Sequence, residues 1–355
     1  MRILHVDTAR GWRGGQNQVL LTAKGMERRG HEVIVACRTA SALRDRARAA
    51  DLDVQEVAFG GDLVPAPALA LRRLVRRFQP DVVHLHDPHA AAAALLIASS
   101  TARLVASRRV DFALRGPLSR WKYRRCRRVI AVSRAVARVL EEGGLSAAHL
   151  RVVYEGVPDR APTAGGEDAL RALGVPAGVP VVGNVAALTA HKDHATLLMA
   201  ATQVIARVPE VRFVIVGQGE LESRLRARAH ELGLDGHVLF AGFRPDVDRL
   251  IPAFDVFCLS SHMEGLGTSL LDAMCYARAV VGTAAGGIPE AVEDGVTGRV
   301  VRPRQPDALA GALTEVLLDR GRRESMGAAG RARFLERFTA DRMVEETLAV
   351  YAEAA

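Results

Sequence analysis

Short apolar runs rich in Val, Ile and Leu alternate along this chain with longer stretches whose apolar positions recur at helical spacing. The first run, RILHVD at residues 2–7, reads as a strand. The loop TARGWRGGQNQ follows it, and then a helix over residues 18–29. HEVIVACR, DVQEVAF and DVVHLHDPH read as further strands, separated by helices over residues 41–50 and 66–78. From Pro180 a second series begins: VPVVGNVAAL, a helix over 195–207, VRFVIVG, a helix over 221–232, HVLFAG, a short helix near 247–253, and DVFCLSS. TGRVVRP, a helix over 307–319 and helices over 321–338 and 339–354 complete it. Strands alternating with helices predict α/β architecture, a parallel sheet wound on both faces, and here two such domains. Residues 152–168, VVYEGVPDRAPTAGGED, combine Gly, Pro and polar positions and read as the linker.

A length of 355 residues fits two domains, each large enough for its own core, and 49% hydrophobic with 25% charged residues is the composition of a folded globular chain. The longest unbroken apolar run, residues 90–98, is far short of the roughly 20 residues a membrane span needs. MRILHVD meets an acid too early for a secretory leader. Cys37, Cys126, Cys258 and Cys275 are scattered without zinc-ligand spacing, which predicts free thiols in a reducing cytoplasm.

Charge changes the picture more. Residues 1–160 carry 28 Lys and Arg against 15 Asp and Glu, and the remainder 20 against 25, so the two halves face different partners. Trp121 to Arg128 form a basic, aromatic segment. A solvated helix face explains such a run, and so does an anionic membrane surface met by Arg124, Arg125, Arg127 and Arg128. No nucleic-acid-binding module accompanies the charge, so no nucleic-acid partner is expected.

Several residues stand where open α/β sheets collect ligands, at the carboxyl ends of strands. Gly11, Gly14 and Gly15 follow the first strand without making a GxGxxG dinucleotide fingerprint. His84 and His86 lie two apart on a strand and therefore point to one face. Arg108, Arg109 and Asp111 follow another strand at the rim of the sheet. In SSHMEGLGTSLLDAM, Glu264 lies in a glycine loop and Asp272 about two turns into the following helix. Backbone N–H groups of such a loop, with the positive end of the helix, can face an anion, and carboxylates beside it can accept from sugar hydroxyls. A plain strand-to-helix turn with Glu264 solvated fits the same spacing. Only three lysines occur against 45 arginines, and one of them, Lys192, follows the first strand of the second series, where a compact ammonium suits phosphate.

Taken together, GGQNQ, PDVVHLHDPH, RVIAVSRAVARVL, VVYEGVPD, KDHATLL, VGQGEL, EGLGTSLLDAM and GGIPEAVEDGVTGRVV resemble the retaining glycosyltransferases of the GT-B fold, family 4, over nearly the whole chain. The resemblance implies two doubly wound, Rossmann-like domains facing across a cleft. Residues 1–160 would bind the acceptor, with the C-terminal helix at about 339–355 packing back on them. Residues 161–338 would bind a nucleotide-sugar donor of UDP or GDP type. In family terms Glu264 contacts hydroxyls of the donor sugar and Asp272, in place of the usual glutamate, the ribose. Gly267 and Thr268 would hold the diphosphate and sugar, with Gly286 and Gly287 shaping the neighbouring turn, and Gly217 would also contact the donor. Lys192 would neutralise the leaving diphosphate, and its usual arginine companion is replaced by Ala187. His86 would sit against the donor sugar, Gly14 and Gly15 would approach donor and acceptor, and Arg108, Arg109 and Asp111 would meet the acceptor.

The expected reaction is therefore retaining, metal-independent transfer of a sugar from its nucleotide diphosphate to an acceptor hydroxyl. The acceptor would be a glycan or lipid-linked saccharide of the cell envelope, reached from the cytoplasm with peripheral attachment to the inner face of the membrane. No cofactor and no metal is implied, and the Asp246, Asp248 pair in DVD reads as helix capping. The missing arginine also fits a non-catalytic relative of the same fold. A phosphorylase-type enzyme would need a lysine for pyridoxal phosphate, and none follows Lys192.

Overall fold

The computed structural model describes residues 1–59, 65–93, 102–114 and 116–354. It contains two compact units, one formed by Met1–Gly156 with Ala340–Ala355 and one by Val157–Thr339. The first boundary thus falls at Gly156, inside the expected linker, and the last helix belongs to the first unit. The apolar run at 90–98 lies outside the described residues beyond 93, and no helix among the described residues is long and apolar enough to cross a membrane.

The first unit contains, in chain order, β1 (Arg2–Asp7), α1 (Gly14–Glu27), β2 (Glu32–Arg38), α2 (Ala42–Ala49), β3 (Asp53–Val57), α3 (Pro65–Phe78), β4 (Val82–Leu85), α4 (Pro88–Ala93), β5 (Arg103–Arg108), α5 (Gly116–Arg124), β6 (Arg128–Ala131), α6 (Arg134–Glu142) and β7 (Leu150–Val152). The second contains α7 (Gly166–Ala172), β8 (Val181–Val185), α8 (His194–Arg207), β9 (Arg212–Val216), α9 (Glu222–Glu231), β10 (Val238–Gly242), α10 (Val247–Leu250), β11 (Val256–Leu259), α11 (Thr268–Cys275), β12 (Ala279–Thr283), α12 (Ile288–Ala291), β13 (Gly298–Val301), α13 (Pro306–Leu318) and α14 (Arg320–Arg337). The chain then returns to the first unit with α15 (Ala340–Glu353).

The strands run as near-continuous apolar segments because both faces of each sheet are covered by helices. In β1, Leu4 and Val6 join one core with Val83, Leu85, Leu71 and Val75, while Ile3 joins the other with Val19, Val82, Val344 and Tyr351. Serines 41 and 133 cap α2 and α6 by accepting from the amides of Arg44 and Val136. The helix expected at 247–253 divides, because Pro252 has no amide to extend the ladder and residues 251–253 close as a 3₁₀ turn. Helix α1 starts at Gly14 rather than at 18, since its first turn carries no apolar position for periodicity to register.

Both sheets are parallel, with orders β3-β2-β1-β4-β5-β6-β7 and β10-β9-β8-β11-β12-β13. In the first the winding reverses between β1 and β4, and in the second between β8 and β11. At such a reversal the two outgoing loops diverge to opposite faces and leave a crevice at the carboxyl ends of the strands, where ligands bind.

Candidate active site

In the second unit the reversal is lined by the loops that leave β8 and β11. After β8 a 3₁₀ turn, Ala190–Lys192, leads to Asp193, which adopts φ 50° and caps α8 by accepting from Thr196 N at 3.4 Å and Thr196 Oγ1 at 2.7 Å. This turn delivers Lys192. The β11 loop delivers Glu264, and the two side chains form an ion pair with only 17% and 13% of their surfaces exposed. Ser261 Oγ donates to Glu264 Oε2 at 3.1 Å, Ser260 Oγ to the Lys192 carbonyl at 3.0 Å, and the His262 amide to the His191 carbonyl at 2.9 Å. Thr283 at the end of β12 donates in turn to the Ser261 carbonyl. The loops are thus cross-bonded into one rigid rim.

Glycine 267 ends that rim with φ 88°, a left-handed conformation that favours glycine, and Thr268 opens α11 with no side chain capping it. The first amides of α11 are therefore open to an outside acceptor. Asp272, one turn further on, is partly exposed. Burial pushes its carboxyl up to about 6, against the opposing pull of Arg160, and no described residue donates a hydrogen bond to it. A desolvated carboxylate without donors is prepared for hydroxyls that a ligand brings. Gly286 (φ 48°) and Gly287 lead into α12. Gly217 has a packing role: at φ 146°, a Cβ there would lie 1.9 Å from the Ala186 carbonyl oxygen. It lets residues 186–188 lie against 216–218, with the Leu188 amide donating to Gln218. Ala187 belongs to that stretch.

The expected capping role of the DVD acids is not found. Asp246 makes no side-chain cap and instead receives Arg244 Nε and Nη2 at 2.8 and 2.7 Å, because a guanidinium fork two residues away outcompetes a lone amide.

In the first unit the reversal holds a cluster of imidazoles. His5 and His84 are directly in register across β1 and β4, and His86 follows on the same face. Tyr351 Oη on α15 lies 2.6 Å from His84 Nδ1, Ser107 Oγ 2.7 Å from His84 Nε2, and His5 Nδ1 2.8 Å from His86 Nε2. Arg109 Nη2 donates to His86 Nδ1 at 3.0 Å. Burial, then neighbouring rings and Arg109, holds His84 and His86 well below the usual imidazole range, while burial and Arg109 bring His5 down to about 3. All three rings are therefore neutral at physiological pH. Their ligand nitrogens approach within 4.8 Å of one another, the spacing of a potential metal cluster. The contacts just named already occupy every ring nitrogen except His5 Nε2, which is buried without a partner.

Asp87 locks the β4 loop to the β1 loop, accepting from Thr8 N at 2.6 Å and Thr8 Oγ1 at 2.9 Å, and from the amides of His89 and Ala90. Gly15 packs beside Arg109, whose Cδ would lie 3.7 Å from a Cβ there.

Arg108, Arg109 and Asp111, the residues expected to meet an acceptor, have these surroundings. Arg108 donates to the carbonyls of Val110 and Phe112 at 3.2 and 2.7 Å and props its own loop. Arg109 serves His86 and lies 3.0 Å from Glu155. Asp111 lines a surface cavity of about 320 Å³ with Arg120 and Glu142. Sequence reasoning passed over His5, Glu155 and Arg160. LHVD in β1 echoes HLHD in β4, which could have paired the two strand ends. Glu155 and Arg160 were hidden inside what reads as a linker.

Two family models match the chain, Glycosyltransferase Family 4 over residues 12–160 and Glycosyl transferases group 1 over residues 167–333. The 2-deoxystreptamine N-acetyl-D-glucosaminyltransferase of Streptomyces fradiae is 32% identical over 309 residues, which cover 78% of this chain and 72% of that relative. The chain belongs to the group 1, family 4 glycosyltransferases. It is also similar to the GDP-mannose-dependent alpha-(1-6)-phosphatidylinositol monomannoside mannosyltransferase of Mycobacterium tuberculosis, 37% identical over 163 residues, 43% of this chain and 42% of that one. The match thus spans less than half the length of the mycobacterial relative. Among solved structures, that of Anabaena HepE in complex with UDP and glucose aligns with a TM-score of 0.86 at 23% identity, covering 99% of this chain and all of the other. The fold is GT-B.

Proposed function

We propose that this chain transfers a sugar from a nucleotide diphosphate of UDP or GDP type to an acceptor hydroxyl, with retention of anomeric configuration and without a metal. One observation carries the reading: Lys192, Glu264, the open amide end of α11 and the donor-free carboxylate of Asp272 share the winding reversal of the second sheet. Cation and helix amides suit a diphosphate, and the two carboxylates suit hydroxyls. The HepE complex holds a nucleotide and a sugar of this class, which supports the reading.

In the transfer step the bond between the anomeric carbon and the diphosphate oxygen breaks and its electrons remain on the diphosphate. Lys192 and the α11 amides stabilise that charge, as preorganised groups do. The acceptor oxygen bonds the anomeric carbon from the same face, and its proton passes to the departing phosphate oxygen. His86, held neutral, contributes position rather than a titrating proton. The test is nucleotide release from a panel of UDP- and GDP-sugars by the purified protein, with and without EDTA. An inverted product anomer overturns retention, loss of activity in EDTA overturns metal independence, and no release from any donor favours a non-catalytic relative.

For the acceptor we propose a glycan or lipid-linked saccharide at the inner face of the cell membrane. The mycobacterial relative acts on a phosphatidylinositol mannoside. In this chain Arg124, Arg125 and Arg127 join Arg103 and His149 around an open cavity of about 570 Å³ with no acidic side chain among the described lining residues. Arg128 is held apart by Glu353 at 3.6 Å. Vesicles containing phosphatidylglycerol should bind the protein better than pure phosphatidylcholine vesicles, and equal binding removes the membrane from the reading.

A further inference from the structure

One guanidinium holds the carboxyl end of β4. Arg109 donates from Nη1 to the His86 carbonyl at 3.1 Å and from Nη2 to His86 Nδ1 at 3.0 Å, while its Nε lies 3.0 Å from Glu155 Oε1. A guanidinium has donors and no acceptor, so the ring nitrogen facing it must be unprotonated. The His86 proton then resides on Nε2, 2.8 Å from His5 Nδ1, which accepts it. The His5 proton is left on its own Nε2, the buried atom that lacks a partner. A single arginine thereby sets the tautomer of two imidazoles and pins both the main chain and the ring of His86.

We propose that Arg109 is a positioning residue for the transfer reaction, clamping His86 through its carbonyl and Nδ1 as a neutral ring protonated on Nε2. The inference rests on His86 being part of the reaction site. It assigns Arg109 a role other than acceptor binding, since Nη1 and Nη2 each already donate to His86 and Nε faces Glu155. The titratable and charged groups around the cluster are His5 and Asp7 on β1, His84 on β4, Asp87 beyond it, Arg109 after β5, Glu155 after β7 and Tyr351 on α15. Burial, the two rings and Arg109 all oppose a proton on His86. Glu155 faces Arg109 at 3.0 Å.

The test reads the tautomer directly by NMR of the full chain labelled with ¹⁵N-histidine, His86 being assigned by its loss in H86Q. In wild type the unprotonated nitrogen should be Nδ1, unchanged between about pH 5 and 8. Arg109→Met should release the ring to a mixture of tautomers, and Arg109→Lys, which keeps one donor, should retain the Nε2–H form. In nucleotide release from UDP-glucose or GDP-mannose, Arg109→Met should lower kcat by about tenfold or more with KM within about twofold, as expected for lost positioning. An Nδ1–H ring in wild type, or an unaltered tautomer in Arg109→Met, overturns the proposal. So does a rise in KM alone, which would mark Arg109 as a substrate contact. Should Arg109→Met fail to fold, the wild-type spectrum and Arg109→Lys still decide. Full activity of H86Q beside the predicted spectra would instead overturn the place of His86 in the reaction.

Discussion

Replacing Asp272 by asparagine separates two things the carboxylate does, one unfavourable to the fold and one needed by the ligand. Its carboxyl is held at about 6 rather than the ordinary 3.8. The folded state therefore binds that proton more tightly than the unfolded chain, so stability falls as pH rises from about 4 to about 6 and stays reduced above. A displacement of about two units corresponds to about 3 kcal/mol, and partial exposure lowers this to about 1–2 kcal/mol. At about 2–4 °C per kcal/mol for a unit of this size, ligand-free D272N should melt about 2–8 °C higher than wild type at neutral pH and show little gain near pH 4. The nucleotide arm runs the other way. UDP or GDP raises the Tm of wild type by binding only the folded state, and D272N should lose most of that rise because an amide accepts fewer hydroxyl donors than a carboxylate. In wild type the same Tm rise should weaken as pH falls through about 6, where the acid protonates. Differential scanning fluorimetry across pH with and without 1 mM-scale nucleotide reads all of this. A D272N protein less stable than wild type at neutral pH, or one keeping the full nucleotide shift, would refute the reasoning.

Lysine 192→Ala should slow nucleotide release by about 10²–10³-fold, the scale for losing one preorganised charge, and remove the Lys192–Glu264 ion pair. Glu264→Gln keeps a contact for Lys192 and Ser261 but cannot accept as a charge; its kcat should fall by at least about tenfold with folding retained, as circular dichroism would show. Tyr351→Phe leaves His84 Nδ1 buried without its hydroxyl, so the urea midpoint should drop by the equivalent of about 1–3 kcal/mol. Gly217→Ala forces a methyl against the Ala186 carbonyl at a backbone angle alanine avoids, and should cost at least about 2 kcal/mol in the same titration.

The amino-acid sequence by itself determined the alternation of elements, and hence two parallel sheets, because local periodicity is a property of neighbouring residues. The strand seen in RILHVD runs Arg2–Asp7, and the expected helices and strands of both units fall within a few residues of their places, while α7 occupies Gly166–Ala172, which begins inside the expected linker. Glu264 and Asp272 were also legible, since a glycine loop before a helix fixes their setting locally, and Lys192 stood out as one of three lysines. Pairing across long distances was not. Only the folded sheet puts β1 beside β4 and β8 beside β11, so only it joins His5 to His84 and His86, and Lys192 to Glu264. The same holds for α15, whose Tyr351 reaches His84 from the far end of the chain. Arg109 shows the difference most plainly. As a residue after a strand it reads as a rim cation, free for an acceptor. Its direction is decided by what lies within a few ångströms, the His86 carbonyl, the His86 ring and the Glu155 carboxylate, and these come from two segments of the chain far from Arg109 in sequence. A buried guanidinium needs its hydrogen bonds satisfied, and tertiary packing alone brings those acceptors together.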